Sequence, residues 1–365
     1  MMLRVMLSLV IGILLVGYLF LNYNPVFGGK TSKEKFNFFR QSKNFDGKKF
    51  INQIPTVMDT RITTTVGIVR DLIKGNPNSR PKIAIPVEPL HSHITTDESL
   101  KVTWFGHSTL LLEIEGKRLL LDPMFSQTLS PLPPFGGKRY SKILPIELEN
   151  LPPIDVVIIS HDHYDHMDYQ SIIKLKDKVN EFCVPLGVGS HLERWGVDPE
   201  KIIERDWWNE IEVDGLTLVC TPARHFSGRC VSDRDATLWS SWVIKGKETS
   251  AYFSGDSGYG PHFAKIGEKY GPFDLTFMEC GQYDERWSAI HMMPEETVQA
   301  HIDVSGKILI PIHWSAFTLA LHDWTDPIER VTEAARERNI CISTPKIGET
   351  VMIGSAEYPN SIWWR

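Results

Sequence analysis

Four apolar runs in this 365-residue chain each end on an imidazole or a carboxylate. VVIIS (156–160) leads into His161, LTLVCTPAR into His225, AYFSG into Asp256 and KILIPI into His313. A short β-branched run such as VVIIS reads as a strand buried on both faces. The C-terminal ends of such strands are where open α/β sheets collect binding groups. A fold that suits this sequence therefore carries four chemically active side chains to one edge. VTWFG, TLLLEIEG, KRLLLDP, TLWSSWVIKG, TSAYFSGD and DLTFMECG read as further strands. Helices are expected near 168–176, 188–196, 261–271, 294–306 and 326–339, the fourth opening with Pro and two Glu as helix N-termini do. Two groups of strands with helices between and after them predict a layered α/β sandwich rather than separate domains.

The densest chemistry is HDHYDH (161–166). His161 and His163 are two apart, so in an extended loop they face one way. Asp165 and His166 follow where a turn into a helix redirects them, with Asp168 as the helix cap. One short loop can in this way serve two adjacent metal ions. Imidazole nitrogen with carboxylate oxygen suits Zn²⁺ best, with Mn²⁺ or Fe as alternatives. A carboxylate such as Asp256 is suited to bridge the pair, with hydroxide in the remaining shared position. Two such ions lower the pKa of bound water and clamp a transition state that gains negative charge. Taken singly, His225 or His313 reads as an ordinary core or surface histidine, and Gly-Asp-Ser around Asp256 as turn chemistry. Three histidines beside two acids have no packing rationale, so the joint pattern carries the expectation. The five cysteines are scattered without a CxxC pair, which indicates free thiols rather than a disulfide framework or a zinc knuckle.

The N-terminus differs in kind. Residues 5–21 are uncharged after a lone Arg4, near the short end of what spans a bilayer as a helix. No small-x-small cleavage signal follows, so residues 1–22 are expected to be an uncleaved membrane anchor. Arg4 favours an inside N-terminus, whereas Lys30, Lys33, Lys35 and Arg40 favour the opposite, which leaves the orientation open. Residues 23–98 read as a linker and accessory segment, and 99–365 as the domain that carries the HDHYDH chemistry. Within the accessory segment, 59–75 is expected to form an amphipathic helix ended by Gly75. Its polar face is not richly basic, so it is expected to pack on the domain rather than on lipid. The net charge of -6 argues against a nucleic-acid partner.

HxHxDH with His225, Asp256 and His313 resembles the metallo-β-lactamase superfamily. Further segments narrow the resemblance to the N-acyl-phosphatidylethanolamine-hydrolysing phospholipase D family. They are VTWFGHSTLLLE (102–113), LLLDPMFS (119–126), LPPIDVVIISHDHYDHMDY (151–169), DWW (206–208), TPARHF (221–226), SGDSGY (254–259), YGPFDL (270–275) and IHWSAF (312–317). The resemblance implies an α/β fold of the metallo-β-lactamase type, an αββα sandwich of two mixed β-sheets flanked by helices. It implies two Zn²⁺, one held by His161, His163 and His225, the other by Asp165, His166 and His313, with Asp256 between them. It further implies attack of a metal-held hydroxide on a membrane phospholipid, yielding phosphatidic acid and an N-acylethanolamine. Asp165, Asp256 and His291 would be catalytic, Asp165 relaying the water proton. Tyr164, Trp208 and His291 would meet substrate, and Asp122 and His107 would orient ligands. The lipid bilayer is the expected partner surface, and a homodimer is suggested by analogy. The sequence departs from the family at Pro133 and Pro134, in a shorter loop at 282–296, and in its first ninety residues. A lactonase or other ester hydrolase is the alternative within the fold. A tRNA-processing nuclease fits poorly with the charge and the anchor. Outside enzymology, the alternative is a membrane-tethered scaffold with a vestigial site.

Overall fold

The computed structural model describes residues 2–57, 59, 61–90, 98–129, 131, 136–230 and 232–365, so Pro133 and Pro134 lie outside the described residues. The strands are β1 Lys101–Trp104, β2 Leu110–Ile114, β3 Lys117–Leu121, β4 Ile154–Ile158, β5 Val179–Pro185, β6 Ile202–Arg205 and β7 Glu210–Val213. They continue as β8 Leu216–Thr221, β9 Ser241–Lys245, β10 Ser250–Phe253, β11 Phe273–Glu279, β12 Gly306–Ile312, β13 Cys341–Ile342 and β14 Thr350–Met352. The helices are α1 Met2–Tyr23, α2 Lys33–Phe39, α3 Ile62–Lys74, α4 Tyr169–Leu175, α5 Gly189–Arg194, α6 His262–Tyr270, α7 Pro294–Asp303 and α8 Asp326–Glu337.

Two seven-stranded sheets form, in the orders β14-β1-β2-β3-β4-β5-β6 and β13-β12-β11-β10-β9-β8-β7. Each is mixed in the same way: antiparallel from β14 to β3 and from β7 to β10, parallel from β3 to β6 and from β10 to β13. The sheets face each other with helices outside, the expected sandwich.

The layering follows from the period-two alternation of strand side chains. Leu110, Leu112, Leu119, Leu121, Val156 and Ile158 point into the core between the sheets, beside Trp242, Ile244 and Phe253 of the second sheet. The intervening Leu111, Leu120 and Val157 point the other way, onto Ile172 and Leu175 of α4 and Leu192 of α5. A fully buried strand of this kind needs apolar residues at every position, which is why these strands show no polar alternation. Asp168 caps α4, its carboxylate accepting from the Ser171 amide, and α7 starts with Pro294 in its first turn.

Three features differ from the expectations. The strands β5, β6, β7, β13 and β14 were not anticipated; β6 and β7 are short, half-exposed and rich in Glu, and β13 and β14 are only two and three residues long, so they lack a clear strand pattern. Residues 24–56 are not a free linker. Phe39 and Phe50 are buried in the main core with Phe45 stacked against both. The foot of α1 is also tied down: Arg194 donates to the Asn22 and Tyr23 carbonyls, and Trp195 Nε1 to that of Pro25. Finally, α3 forms as expected and is capped at Gly75, but its apolar residues do not pack on the domain.

Candidate metal centre

The ends of β4, β8, β10 and β12 deliver His161, His225, Asp256 and His313 to one edge, as the sequence pattern requires. The HDHYDH loop leaves β4 and turns sharply, the His166 and Met167 amides both donating to the His163 carbonyl. That turn places His166 on the other side of His161 from His163, the His161 and His166 ring centroids 4.3 Å apart. Gly255 allows the tight approach before Asp256: its φ is 54°, and a Cβ there would lie 2.7 Å from the Ser240 carbonyl oxygen.

Two donor sets result. In one, His161 Nε2 lies 2.9 Å from His163 Nδ1, and His225 Nε2 lies 3.3 Å from the same atom. In the other, Asp165 Oδ2 is 3.4 Å from His166 Nε2, with His313 beside them. The Asp256 carboxylate sits between the sets. Its Oδ2 is 3.0 Å from His166 Nε2, 3.8 Å from His225 Nε2 and 3.9 Å from His161 Nε2. Its Oδ1 is 3.0 Å from His313 Nδ1. The structure thus brings together all seven residues expected to bind metal.

The hydrogen-bond network decides which ring nitrogens carry lone pairs. Asp122 is fully buried, its Oδ1 accepting from the Ser160 amide and its Oδ2 from the Ser160 hydroxyl (2.6 Å) and His166 Nδ1 (2.7 Å). Because the Ser160 proton is used on Asp122, the Ser160 oxygen accepts from His161 Nδ1 at 2.9 Å. His225 Nδ1 donates to the Ile290 carbonyl. The Nε2 atoms of His161 and His225 are therefore unprotonated and aim inward, and that of His166 faces the Asp256 carboxylate. Two lone pairs converging on His163 Nδ1 repel one another unless a cation lies between them, and a proton or a metal ion must likewise stand between His166 Nε2 and the carboxylate oxygen 3.0 Å away. His166 Nε2 and Asp256 Oδ1 are buried without a hydrogen-bond partner in the protein, which fits the same conclusion. The donor set, imidazole nitrogen with carboxylate oxygen and no thiolate, suits a borderline divalent metal.

The electrostatics agree. Burial holds His161, His225 and His313 neutral, well below the ordinary histidine pKa. Burial also disfavours charging His166, yet Asp256, Asp165 and Asp122 overcome it and draw its pKa well above the ordinary value. Burial pushes the Asp256 carboxyl up to about 6 against the pull of His166. Burial likewise opposes ionisation of Asp165, but His166 and His107 hold its carboxyl well below the usual range. The carboxylates of this cluster thus demand positive charge at its centre, and in the metal-free chain it falls on His166.

His107 Nε2 pairs with Asp165 Oδ2 at 2.9 Å, giving it the orienting position expected. His107, Asp122 and His313 all have left-handed backbone, φ 55°, 40° and 67°. Such conformations in non-glycine residues cluster where function over-determines the chain. His291 lies at the wall of a cleft of about 240 Å³ over the donor sets, with Trp287, Ile290 and Leu319. Its Nδ1 bonds Glu279 Oε2 at 2.8 Å, while Glu279 Oε1 accepts from the Met292 and Ser257 amides. Glu279 is fully buried and was missed at the level of sequence. The signal was present: it ends the apolar run of β11, paired with Ile312 beside His313.

Two expected substrate contacts are not brought to the cleft. Trp208 sits at the turn between β6 and β7 with φ 71° and lines a different groove with Arg205 and Glu210. The left-handed turn there swings its ring toward Lys269. Tyr164 is committed to holding the loop, its hydroxyl donating to the Arg229 carbonyl at 2.5 Å and its ring lying under the Arg229 guanidinium. Asp162, the other spacer, accepts from the Gly228 amide and the Thr237 hydroxyl.

A family profile described as Beta-lactamase superfamily domain matches residues 117–314. An uncharacterised protein of Mycobacterium tuberculosis is 43% identical over 89% of this chain and 88% of its own length. The N-acyl-phosphatidylethanolamine-hydrolyzing phospholipase D 1 of Caenorhabditis elegans is 33% identical over 73% of this chain and 79% of its own. Among solved structures, Igni18, a metallo hydrolase from Ignicoccus hospitalis, superposes with a TM-score of 0.53 at 23% identity, covering 70% of this chain and 99% of that one.

Proposed function

Since the chain belongs to the metallo-β-lactamase superfamily, in the branch of the N-acyl-phosphatidylethanolamine-hydrolysing phospholipases D, and is a metal-dependent hydrolase, we propose that it cleaves a membrane glycerophospholipid in the manner of a phospholipase D. The substrate is N-acyl-phosphatidylethanolamine or a close relative, and the products are phosphatidic acid and an N-acylethanolamine. The observation that carries this reading is the Asp256 carboxylate lying between two inward-facing donor sets at the floor of an open cleft.

In this reading His161, His163 and His225 would hold one metal and Asp165, His166 and His313 a second, with Asp256 available to either; zinc is the ion these donors suit. When bound, such a pair activates water and offsets the charge that builds on the phosphoryl oxygens. The chain's own groups do the rest. Water adds across the phosphorus–oxygen bond on the ethanolamine side. Its oxygen goes to phosphorus and a proton goes to the departing alcohol oxygen. Asp165, bonded to His107 and facing the cleft, takes the proton from water. His291, oriented by Glu279, is placed to contact a phosphoryl oxygen or the departing oxygen. Phe226, Trp287, Ile290 and Leu319 offer apolar walls to an acyl chain and limit water around the reacting atoms. α1, with apolar length enough to cross a membrane and none of it buried, tethers the cleft to the bilayer that holds the substrate.

The test is product mass. The full chain, purified with its metal, is given N-acyl-phosphatidylethanolamine in vesicles and, separately, a panel of lactones. Release of phosphatidic acid and N-acylethanolamine supports the proposal. Turnover of lactones alone, or release of a free fatty acid from the phospholipid, overturns it in favour of an ester hydrolase.

A further inference from the structure

Helix α3 is amphipathic with its faces reversed. Ile62, Val66, Val69 and Ile73 recur at helical spacing and form one stripe with Leu72 at its edge. The stripe faces solvent: Val69, the least exposed of them, is 49% exposed, and Ile73 82%. The face turned to the protein is mostly polar or small, with Ile68 as its one half-buried apolar residue. Asp71 Oδ2 meets Arg286 Nη1 at 3.0 Å, Thr64 donates to Asp59 at 2.6 Å, and Gly67 leaves room for Arg286. A helix held by polar contacts with its apolar stripe outward is built to receive an apolar surface.

The helix also borders the cleft at both ends. Arg286, which it binds, precedes Trp287 in the cleft wall, and the Arg286 carbonyl accepts from the Asp59 amide. Just past the helix, Asn76 donates to the Leu321 carbonyl, two residues after Leu319 at the cleft lip. Residues 59–82 carry five basic side chains against two acidic ones, in a chain whose net charge is -6. Both acids are paired, Asp59 with Arg61, and Asp71 with Arg70 and Arg286. Arg70 and Lys74 lie beside the stripe, where long cationic side chains reach headgroups while their stems stay in the apolar layer.

We propose that α3 lies in the surface of an anionic bilayer and seats the mouth of the metal cleft on it, in the membrane that α1 enters. The choice of lipid over a second copy or a protein partner rests on the local positive charge and on α1, a helix long and apolar enough to cross a membrane. The proposal extends the phospholipase reading by giving its substrate a route from bilayer to cleft.

Two measurements on the full chain test it. In vesicles of phosphatidylethanolamine and phosphatidylglycerol, Val66→Asp combined with Leu72→Asp lowers hydrolysis of the vesicle lipid by about tenfold or more, with an unchanged melting curve. Hydrolysis of a soluble bis-aryl phosphodiester stays within about twofold. Equal rates of variant and parent on vesicles, or equal loss on both substrates, overturn the proposal. Independently of any activity, bimane on Ile73→Cys, in a Cys230→Ser, Cys341→Ser background, is quenched by acyl-chain spin labels in those vesicles and shielded from iodide. Quenching by iodide instead overturns the docking, and so does concentration-dependent cross-linking through position 73, which assigns the stripe to a second copy. If no phosphodiester is turned over, the functional reading fails, and the bimane result still decides the surface.

Discussion

Asp122→Asn tests the reasoning about lone pairs most directly. The change conserves shape, and the Asn oxygen can still accept from the Ser160 amide as Asp122 Oδ1 does now. The Asn amide group must then face the Ser160 hydroxyl and His166 Nδ1, both of which now donate to Asp122. To avoid donor against donor, His166 must move its proton to Nε2, which points it at Asp256, 3.0 Å away. The Ser160 hydroxyl must turn to accept from the Asn, and its proton then meets His161 Nδ1, forcing the His161 proton to Nε2 as well. One substituted oxygen so disturbs one imidazole in each donor set. Loss of an orienting partner typically weakens metal affinity by roughly 10–100-fold, which is about 1.4–2.7 kcal/mol at each set. The fold should survive, since no buried group is left without a partner. Metal titration of the apo-protein with an indicator chelator reads both affinities, and a thermal melt of the apo-protein reads the fold. Two equivalents bound with parental affinity would refute the assignment of protons through Asp122 and Ser160. A large fall in apo-protein stability would show that Asp122 acts mainly as packing.

Asp256→Asn should leave a folded protein with turnover at background, because its carboxylate lies between the donor sets, 3.0 Å from His166 and His313 and 3.8 Å from His225; a folded variant that still hydrolyses substrate removes Asp256 from the mechanism. Glu279→Gln keeps the bonds from the Met292 and Ser257 amides but turns a donor toward His291. Turnover should fall roughly 10–100-fold at unchanged metal content, and Glu279→Gln with His291→Ala should be no slower than His291→Ala alone; additive losses would separate the two residues. Acid should destabilise the fold through His262, whose pKa burial depresses to about 3. Below pH 6.5 the unfolded chain protonates this group while the folded one resists, so stability falls as pH drops from 6.5 toward 3, by about 3 kcal/mol at pH 4. Denaturant melts of parent and His262→Gln across that window check it; parallel curves would mean another group controls the acid limb.

Much of the centre was legible before any coordinates, for a local reason. The HDHYDH loop and the strand-end positions of His161, His225, Asp256 and His313 are contiguous in sequence with the runs that place them. Strand period and the geometry of parallel strand ends are then sufficient to predict their meeting. Asp122 was legible as an orienting carboxylate through the family resemblance, but not its control of two imidazoles, which depends on the Ser160 hydroxyl standing between them. Glu279 followed the same strand-end rule, inside the expected DLTFMECG strand, and was overlooked because a single acid there stands in no ligand motif. Trp208 and Tyr164 were misjudged because nearness in sequence to the site does not say which way a turn sends a side chain.

The sequence by itself determined most of the buried strands and the helices that follow them, a layered α/β sandwich, and the residue types of the metal centre, since periodicity and donor chemistry are properties of short stretches. Tertiary structure alone decided which nitrogens face inward, that Glu279 stands behind His291, and which way α3 turns. A hydropathy pattern states that a helix has an apolar side but carries no information about what lies against it. On α3, Arg286 takes the polar side, and the apolar side is left outward at the rim of the cleft.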